Sequence, residues 1–238
     1  MKHAFELDSV SFSYEGTFSL RDASLAIPEG AFSFVLGPNG AGKSTLFKLM
    51  SGILKPAGGE VRLWGDSVQS MKPQNIARKI AVVDQNPTYT FPFTVEEIVL
   101  MGRYPYGSNG LFESDEDIEK VEYALDVTHS KKFRSRVIQS LSGGERRRVE
   151  IARALAQEAS IILLDEPASH LDIKQQRDLF ALLTDLNTNK NVTLCVISHH
   201  IEYVRTCASH LFFMSNGAIE ELHDRTCIDT METLLEMF

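Results

Sequence analysis

Three short segments carry residue types and spacings that do chemistry. The first is Gly37-Pro38-Asn39-Gly40-Ala41-Gly42-Lys43-Ser44-Thr45, which has the form GxxxxGK[ST]. Its glycines let the backbone wrap closely, so that several N–H groups point inward at phosphate oxygens. A helical pattern follows it and adds the positive end of a helix dipole. Lys43 supplies a mobile charge for the β- and γ-phosphates, and Ser44 offers a hydroxyl to Mg²⁺. The second segment is Ile161-Ile162-Leu163-Leu164 followed by Asp165-Glu166. Asp165 is placed to hold Mg²⁺, directly or through water, and Glu166 to polarise an attacking water. The third is Leu141-Ser142-Gly143-Gly144-Glu145, a helix start that Ser142 can cap and whose glycines admit a phosphate. A second phosphate-binding helix start needs a reason, and the γ-phosphate held by another copy of the chain supplies one.

The elements that must position these segments read as an α/β core around a largely parallel sheet. Phe5–Phe12 and Ser19–Ile27 are short, partly alternating strands, and Ala31–Leu36 is a strand that runs into the Gly37 turn. Lys43–Ser51 reads as a helix, and Val61–Trp64 and Ile80–Val83 as further strands. The pattern is helical from about Thr94 to Ala124, with a Gly/Pro/Tyr-rich break at Gly102–Gly110. Ser142–Gln157 is a helix, Ile161–Leu164 a buried strand and Asp172–Leu186 a helix. Val192–Ile197 is a strand, and a short helix closes the chain. The antiparallel start and the helical middle are additions to the core, the middle one inserted at roughly 86–139.

Taken together, the three segments resemble the ABC ATPase family, whose Walker A, Walker B and signature motifs occur in this order. Glu145 stands where the family's signature most often has Gln. The resemblance covers nearly the whole chain. It implies one ABC ATPase domain over 1–238. A P-loop NTPase core with a mostly parallel sheet and an antiparallel β subdomain would take 1–85 and 140–238, and an inserted α-helical subdomain about 86–139. It implies further roles, residue by residue. Tyr14 resembles the aromatic that stacks on adenine. Gln85 resembles the Q-loop glutamine, which touches Mg²⁺ or the attacking water. Asp172, in Ser169-His170-Leu171-Asp172, resembles the D-loop residue, although alone it reads as a helix N-cap. His199 resembles the switch histidine, while the following His200 has no assigned role. The implied cofactors are ATP and Mg²⁺. The implied partners are a second copy of the chain and integral membrane permease subunits, with a periplasmic or lipid-anchored binding protein acting indirectly.

Composition narrows the setting. The formal net charge of −8 is diffuse and gives no footprint for nucleic acid. Arg146, Arg147 and Arg148 point in three directions on a helix, so a solvated face is expected rather than a binding patch. Cys195, Cys207 and Cys227 are odd in number and widely spaced, which suits a reducing compartment, and Cys195 falls in a buried strand. Met1–Val10 is not patterned as a leader peptide, and no apolar run is long enough to cross a bilayer. Attachment to the cytoplasmic face of a membrane through the permease is therefore the expected location. Val99-Leu100-Met101-Gly102-Arg103-Tyr104-Pro105-Tyr106, and Ser169–Ile173 with Gln175 and Gln176, resemble importers of iron–siderophores, haem and vitamin B12. Import of another metal ion or small solute is the alternative. A soluble family member acting on nucleic acid is the more distant one, since no coiled coil, zinc motif or second ATPase unit is visible.

Overall fold

The computed structural model describes residues 2–15, 17–107 and 114–223. The helix expected at the chain end and Cys227 lie outside them.

Two sheets form the frame. Strands β1 (His3–Tyr14), β2 (Thr17–Pro28), β4 (Gly58–Leu63) and β5 (Asp66–Ser67) make an antiparallel sheet in the order β2-β1-β4-β5. The second sheet runs β10-β9-β3-β8-β7-β6. Its strands are β3 (Phe32–Leu36), β6 (Ile80–Val83), β7 (Ile161–Asp165), β8 (Thr193–Ile197), β9 (His210–Ser215) and β10 (Ala218–Glu221). Strands β9, β3, β8, β7 and β6 are parallel, and only β10 at the edge is antiparallel. Strands β3 and β8 are buried along their whole length, as expected of parallel strands covered on both faces.

Helices cover the second sheet unequally. Helix α1 (Lys43–Met50) packs between the two sheets, where Leu46, Phe47, Leu49 and Met50 join Phe5, Ile27 and Met214 in one core. Helices α5 (Gly143–Ala156), α6 (Ile173–Lys190) and α7 (Ile201–Cys207) belong to the opposite face, with Ile151, Phe180, Leu183 and Val204 in a second core. Helix α2 (Pro73–Ala77) leads into β6. Helices α3 (Val95–Leu100) and α4 (Asp115–Val127) build a third core with the far side of α5, through Ile98, Val121, Leu125, Val149 and Ala152. Helix α5 therefore belongs to two cores at once, which makes it the rigid joint between the sheet and the helical layer.

The sequence patterns do not place α2, α7, β5, β9 and β10. The signal for the last two was Asn216-Gly217 between two partly apolar runs. Asn216 and Gly217 have φ of 49° and 80°, as a tight hairpin turn requires. The Gly217 N–H donates to Ala41 O at 3.2 Å, so this hairpin also props the phosphate loop.

Candidate nucleotide site

Strand order decides what meets what. At the carboxyl edge of the parallel sheet the neighbours are β3, β8, β7 and β6. Their exits are the Gly37–Thr45 loop, Ser198–His199, Asp165–Glu166 and Asp84–Gln85, so four segments far apart in sequence stand side by side. Ligands bind at this edge in open α/β sheets. One cleft of about 370 Å³ is lined by Asn39, Gly40 and residues 42–45 with Gln85, Asp165, Glu166 and His199.

The loop is shaped by its glycines. Gly37 has φ 145°, and a Cβ there would lie 2.0 Å from Met214 O, so no other residue fits. Gly42, at φ 105°, precedes α1 without a side-chain cap. The first helical amide to reach its own acceptor is Leu46 N–H, which donates to Gly42 O at 2.9 Å; the amides before it are the orphan donors of a helix start. Lys43 Nζ donates to Gly37 O at 2.7 Å and Pro38 O at 2.9 Å. Gly37 and Pro38 thus hold the lysine by their carbonyls and do not line the cleft, and neither does the buried Ala41. Burial pulls the Lys43 ammonium below its ordinary range, while Glu166 and Asp165 oppose this. An anion arriving at the loop has a poorly solvated cation waiting for it.

Opposite the loop, Ser44 Oγ donates to Asp165 Oδ2 at 2.7 Å. Asp165 is held above its usual carboxylate range, first by burial and further by Glu166 and Asp84, against the opposing Ser44 hydroxyl and Lys43. A hydroxyl, a carboxylate and the Gln85 amide are hard oxygen donors facing one cleft with excess negative charge. That donor set fits Mg²⁺, which keeps few protein ligands and takes the rest from phosphates and water. Glu166 lies one residue on, at φ 45°, with its N–H donating to Ile197 O at 3.0 Å. His199 Nδ1 lies 2.8 Å from Glu166 Oε2. The Glu166 carboxylate so close to it raises the imidazole above its ordinary range, against the effects of burial and Lys43. His200 lies against His199, tilted, with 4.2 Å between centroids, and burial lowers it.

Three expected site elements stand apart from this cleft in a single copy. Tyr14 ends β1, 44 % exposed, edge-on to Phe12 at 4.8 Å. Ser142 caps α5. Its Oγ accepts from Glu145 N at 3.4 Å, and Glu145 Oε2 accepts from Ser142 N at 2.9 Å. Glu145 thereby completes a capping box, a role that Glu and Gln fill alike, so the departure from Gln leaves the helix start intact. The Ser142 N–H bond holds this carboxyl below its usual range. Asp172 is the N-cap of α6, accepting from Gln175 N at 2.8 Å. Ser142, Gly144, Glu145 and Asp172 line a different cleft, of about 460 Å³.

One expectation is corrected. The Arg146–Arg148 run is not a solvated face, because Arg147 is only 7 % exposed and its guanidinium reaches the backbone at Asp84 and Gln85. A basic triplet on a helix does not reveal which member points inward, so the sequence carried no signal for it. The Cys195 expectation holds: it is buried in β8, and burial pushes its thiol up to about 12.

A glycine-rich turn ahead of α1, paired carboxylates at the next-but-one strand exit and a histidine between them define a nucleotide-hydrolysing cassette. Comparison with known proteins places it further. Residues 20–169 match the ABC transporter family model, and the chain belongs to that family as its ATP-binding, ATP-hydrolysing subunit. The chain is 40% identical to the ferric enterobactin transport ATP-binding protein FepC of Escherichia coli (strain K12) over 82% of its own length and 72% of the relative's. A putative metal-chelate type ABC transporter in an inward-facing conformation matches with TM-score 0.87 and 29% identity, covering 100% of this chain and 90% of that one. A dimeric ATP-binding cassette in a post-hydrolysis state with ADP and Pi matches with TM-score 0.79 and 28% identity, covering 92% and 99%.

Proposed function

We propose that this chain powers import of an iron chelate of the siderophore class, working as a homodimer on the cytoplasmic face of a membrane permease. The observation that carries the catalytic part is the Glu166–His199 pair, 2.8 Å apart at the edge of the cleft that Lys43 and Ser44 line. The cargo reading rests on the likeness to FepC and to the metal-chelate transporter, together with the Val99–Tyr106 and Ser169–Ile173 stretches.

The residues divide the work as follows. The loop from Gly37 to Thr45 wraps the phosphates, and Lys43 exchanges its two carbonyl acceptors for β- and γ-phosphate oxygens. Tyr14, with an exposed ring face, stacks on adenine. Ser44, Asp165 and Gln85 would hold Mg²⁺, which when bound offsets phosphate charge. Glu166 accepts a hydrogen bond from the attacking water and orients it in line with the γ-phosphorus. His199 donates to the transferring phosphoryl oxygens and returns to Glu166 when they leave. Ser142, Gly143 and Gly144 of a second copy close the other side, adding amide donors and a helix dipole where charge develops. Asp172 and the segment before it run along the same seam. Closure and release of the pair drive the permease, which receives the chelate from a binding protein on the far side.

The test is Glu166→Gln. The expected outcome is a loss of kcat on the order of 10²–10⁴-fold with ATP affinity retained; hydrolysis at the parent rate removes Glu166 from its role. For cargo, the subunit reconstituted with its permease should show ATPase stimulation by binding protein loaded with a ferric siderophore. Stimulation by cobalamin or Zn²⁺ alone would move the assignment to those solutes.

A further inference from the structure

One buried side chain beside the cleft has no part in the cycle above. Arg147 stands three residues past Gly144 on α5. Its Nη1 donates to Asp84 O at 2.7 Å and its Nη2 to Gln85 O at 2.8 Å. Nη1 also meets Glu150 Oε2 at 3.0 Å. Six residues along the same helix, Arg153 Nη2 donates to Val82 O at 3.2 Å. Strand β6 ends at Val83, so the carbonyls of residues 84 and 85 lie beyond its ladder, and it is Arg147 that takes them up. A guanidinium fork that grips two successive carbonyls fixes the peptide plane between them, and with it the direction in which the Gln85 side chain leaves the backbone. Gln85 lines the nucleotide cleft of its own copy.

The other end of that lever is the helix start. Ser142 and Arg147 are separated by five residues of one rigid helix, about 7.5 Å of rise. Gly143, Arg147, Gln85 and Ser169 line a common cleft of about 290 Å³ that separates the helix start from the strand exits. Glu150 is 1 % exposed and its Oε1 has no partner, so this carboxylate is kept buried at a cost by the guanidinium it balances.

We propose that Arg147 is a positioning residue that ties Gln85 of one nucleotide cleft to the α5 start presented to the other. When a partner's nucleotide draws Ser142–Gly144 toward itself, Arg147 carries the shift to the Asp84–Gln85 peptide, so occupancy of one cleft is felt in the next. This rests on the reading of Gln85 and of Ser142–Gly144 given under Proposed function.

Steady-state ATP hydrolysis and equilibrium ATP binding by the full-length protein test it. In Arg147→Gln, kcat should fall at least tenfold and the Hill coefficient for ATP should drop toward 1, with the Kd for ATP of the monomer within twofold of the parent. Glu150→Gln leaves both carbonyl bonds in place and should keep kcat within threefold. Arg147→Gln combined with Gln85→Ala should be no slower than Gln85→Ala alone. Parent kcat and Hill coefficient in Arg147→Gln overturn the proposal. So does an equal loss in Glu150→Gln, which would make the buried ion pair a packing feature only, and so does a fully additive double variant. If Gln85→Ala itself turns over at the parent rate, the reading of Gln85 fails first, a result distinct from additivity. Should Arg147→Gln not fold, Arg147→Lys keeps the charge beside Glu150 but cannot fork across two carbonyls. The same loss of kcat and Hill slope is expected there, and its absence is equally fatal.

Discussion

Glu166 holds a left-handed backbone conformation that a non-glycine residue adopts at a cost of order 1–3 kcal/mol. The conformation turns the chain out of β7 so that the carboxylate returns toward β8 and meets His199. Replacement by Gln keeps the side-chain size and the turn while removing the charge. The imidazole of His199 then loses both influences that raise it, the hydrogen bond and the attraction of Glu166, while burial and Lys43 still act to lower it. An NMR titration of the Glu166→Gln protein should therefore show His199 titrating below its position in the parent, and below the ordinary histidine value of about 6.5. An unmoved His199 would mean that the pair is not formed in solution. The same two residues show what spacing can reveal: Asp165 and Glu166 are adjacent and follow four apolar residues, so their place at a strand exit was readable. That His199 stands between the loop and the carboxylates was not, because it depends on the β3-β8-β7 order.

At the scale of elements, α5 carries the most conflicting demands. Its Glu150 carboxyl is raised to about 7 by burial, which outweighs the attraction of Arg147, Arg153 and Arg146. A carboxylate with a raised folded pKa holds its proton longer in the folded state, so stability falls as pH rises from about 4.5 to about 7. Glu150→Gln removes that slope. Its melting temperature should exceed the parent's at pH 8, and the difference should shrink as pH falls toward 4.5. The loop before α4 shows a second demand. A Cβ at Gly102 would meet Arg153 O at 2.3 Å, and Arg103 beside it is buried, bonded to Asp117, Glu158 and Ala156 O. Gly102→Ala should cost about 1–3 kcal/mol in chemical denaturation, since backbone must move to admit it. In the sequence, Gly102–Tyr106 reads as a Gly/Pro/Tyr-rich turn, with nothing to announce a buried arginine. Its partners Ala156 and Glu158 are more than fifty residues away, and such pairings are invisible to local pattern. Helix starts were legible because their caps are local: Ser142 with Glu145, and Asp172 with Gln175 N.

At the scale of the whole molecule, Gly143 is a glycine that the protomer does not explain. At its neighbour Gly144 a Cβ would come within 2.9 Å of the Gln175 side chain, whose flexible end would have to turn aside. A Cβ on Gly143 meets only Leu171 Cδ2, at an ordinary 3.6 Å, and no positive φ requires glycine. Among the described residues nothing asks for glycine at this position, where Ala would favour the helix by up to about 1 kcal/mol. A close approach from outside the chain would ask for it, and in the function proposed above a partner's γ-phosphate makes such an approach. Gly143→Ala should therefore leave the melting temperature equal or higher and the ATP affinity of the monomer unchanged. In the Glu166→Gln background, ATP should convert the protein to a dimer in size-exclusion chromatography or sedimentation, and adding Gly143→Ala should weaken that dimer at least tenfold. The methyl group would stand between the helix start and the phosphate it is built to meet, while every contact inside the protomer survives. A Gly143→Ala protein that dimerises as readily as its parent would remove the composite site, because the one feature of this helix that the monomer does not explain would then have no explanation in the pair either.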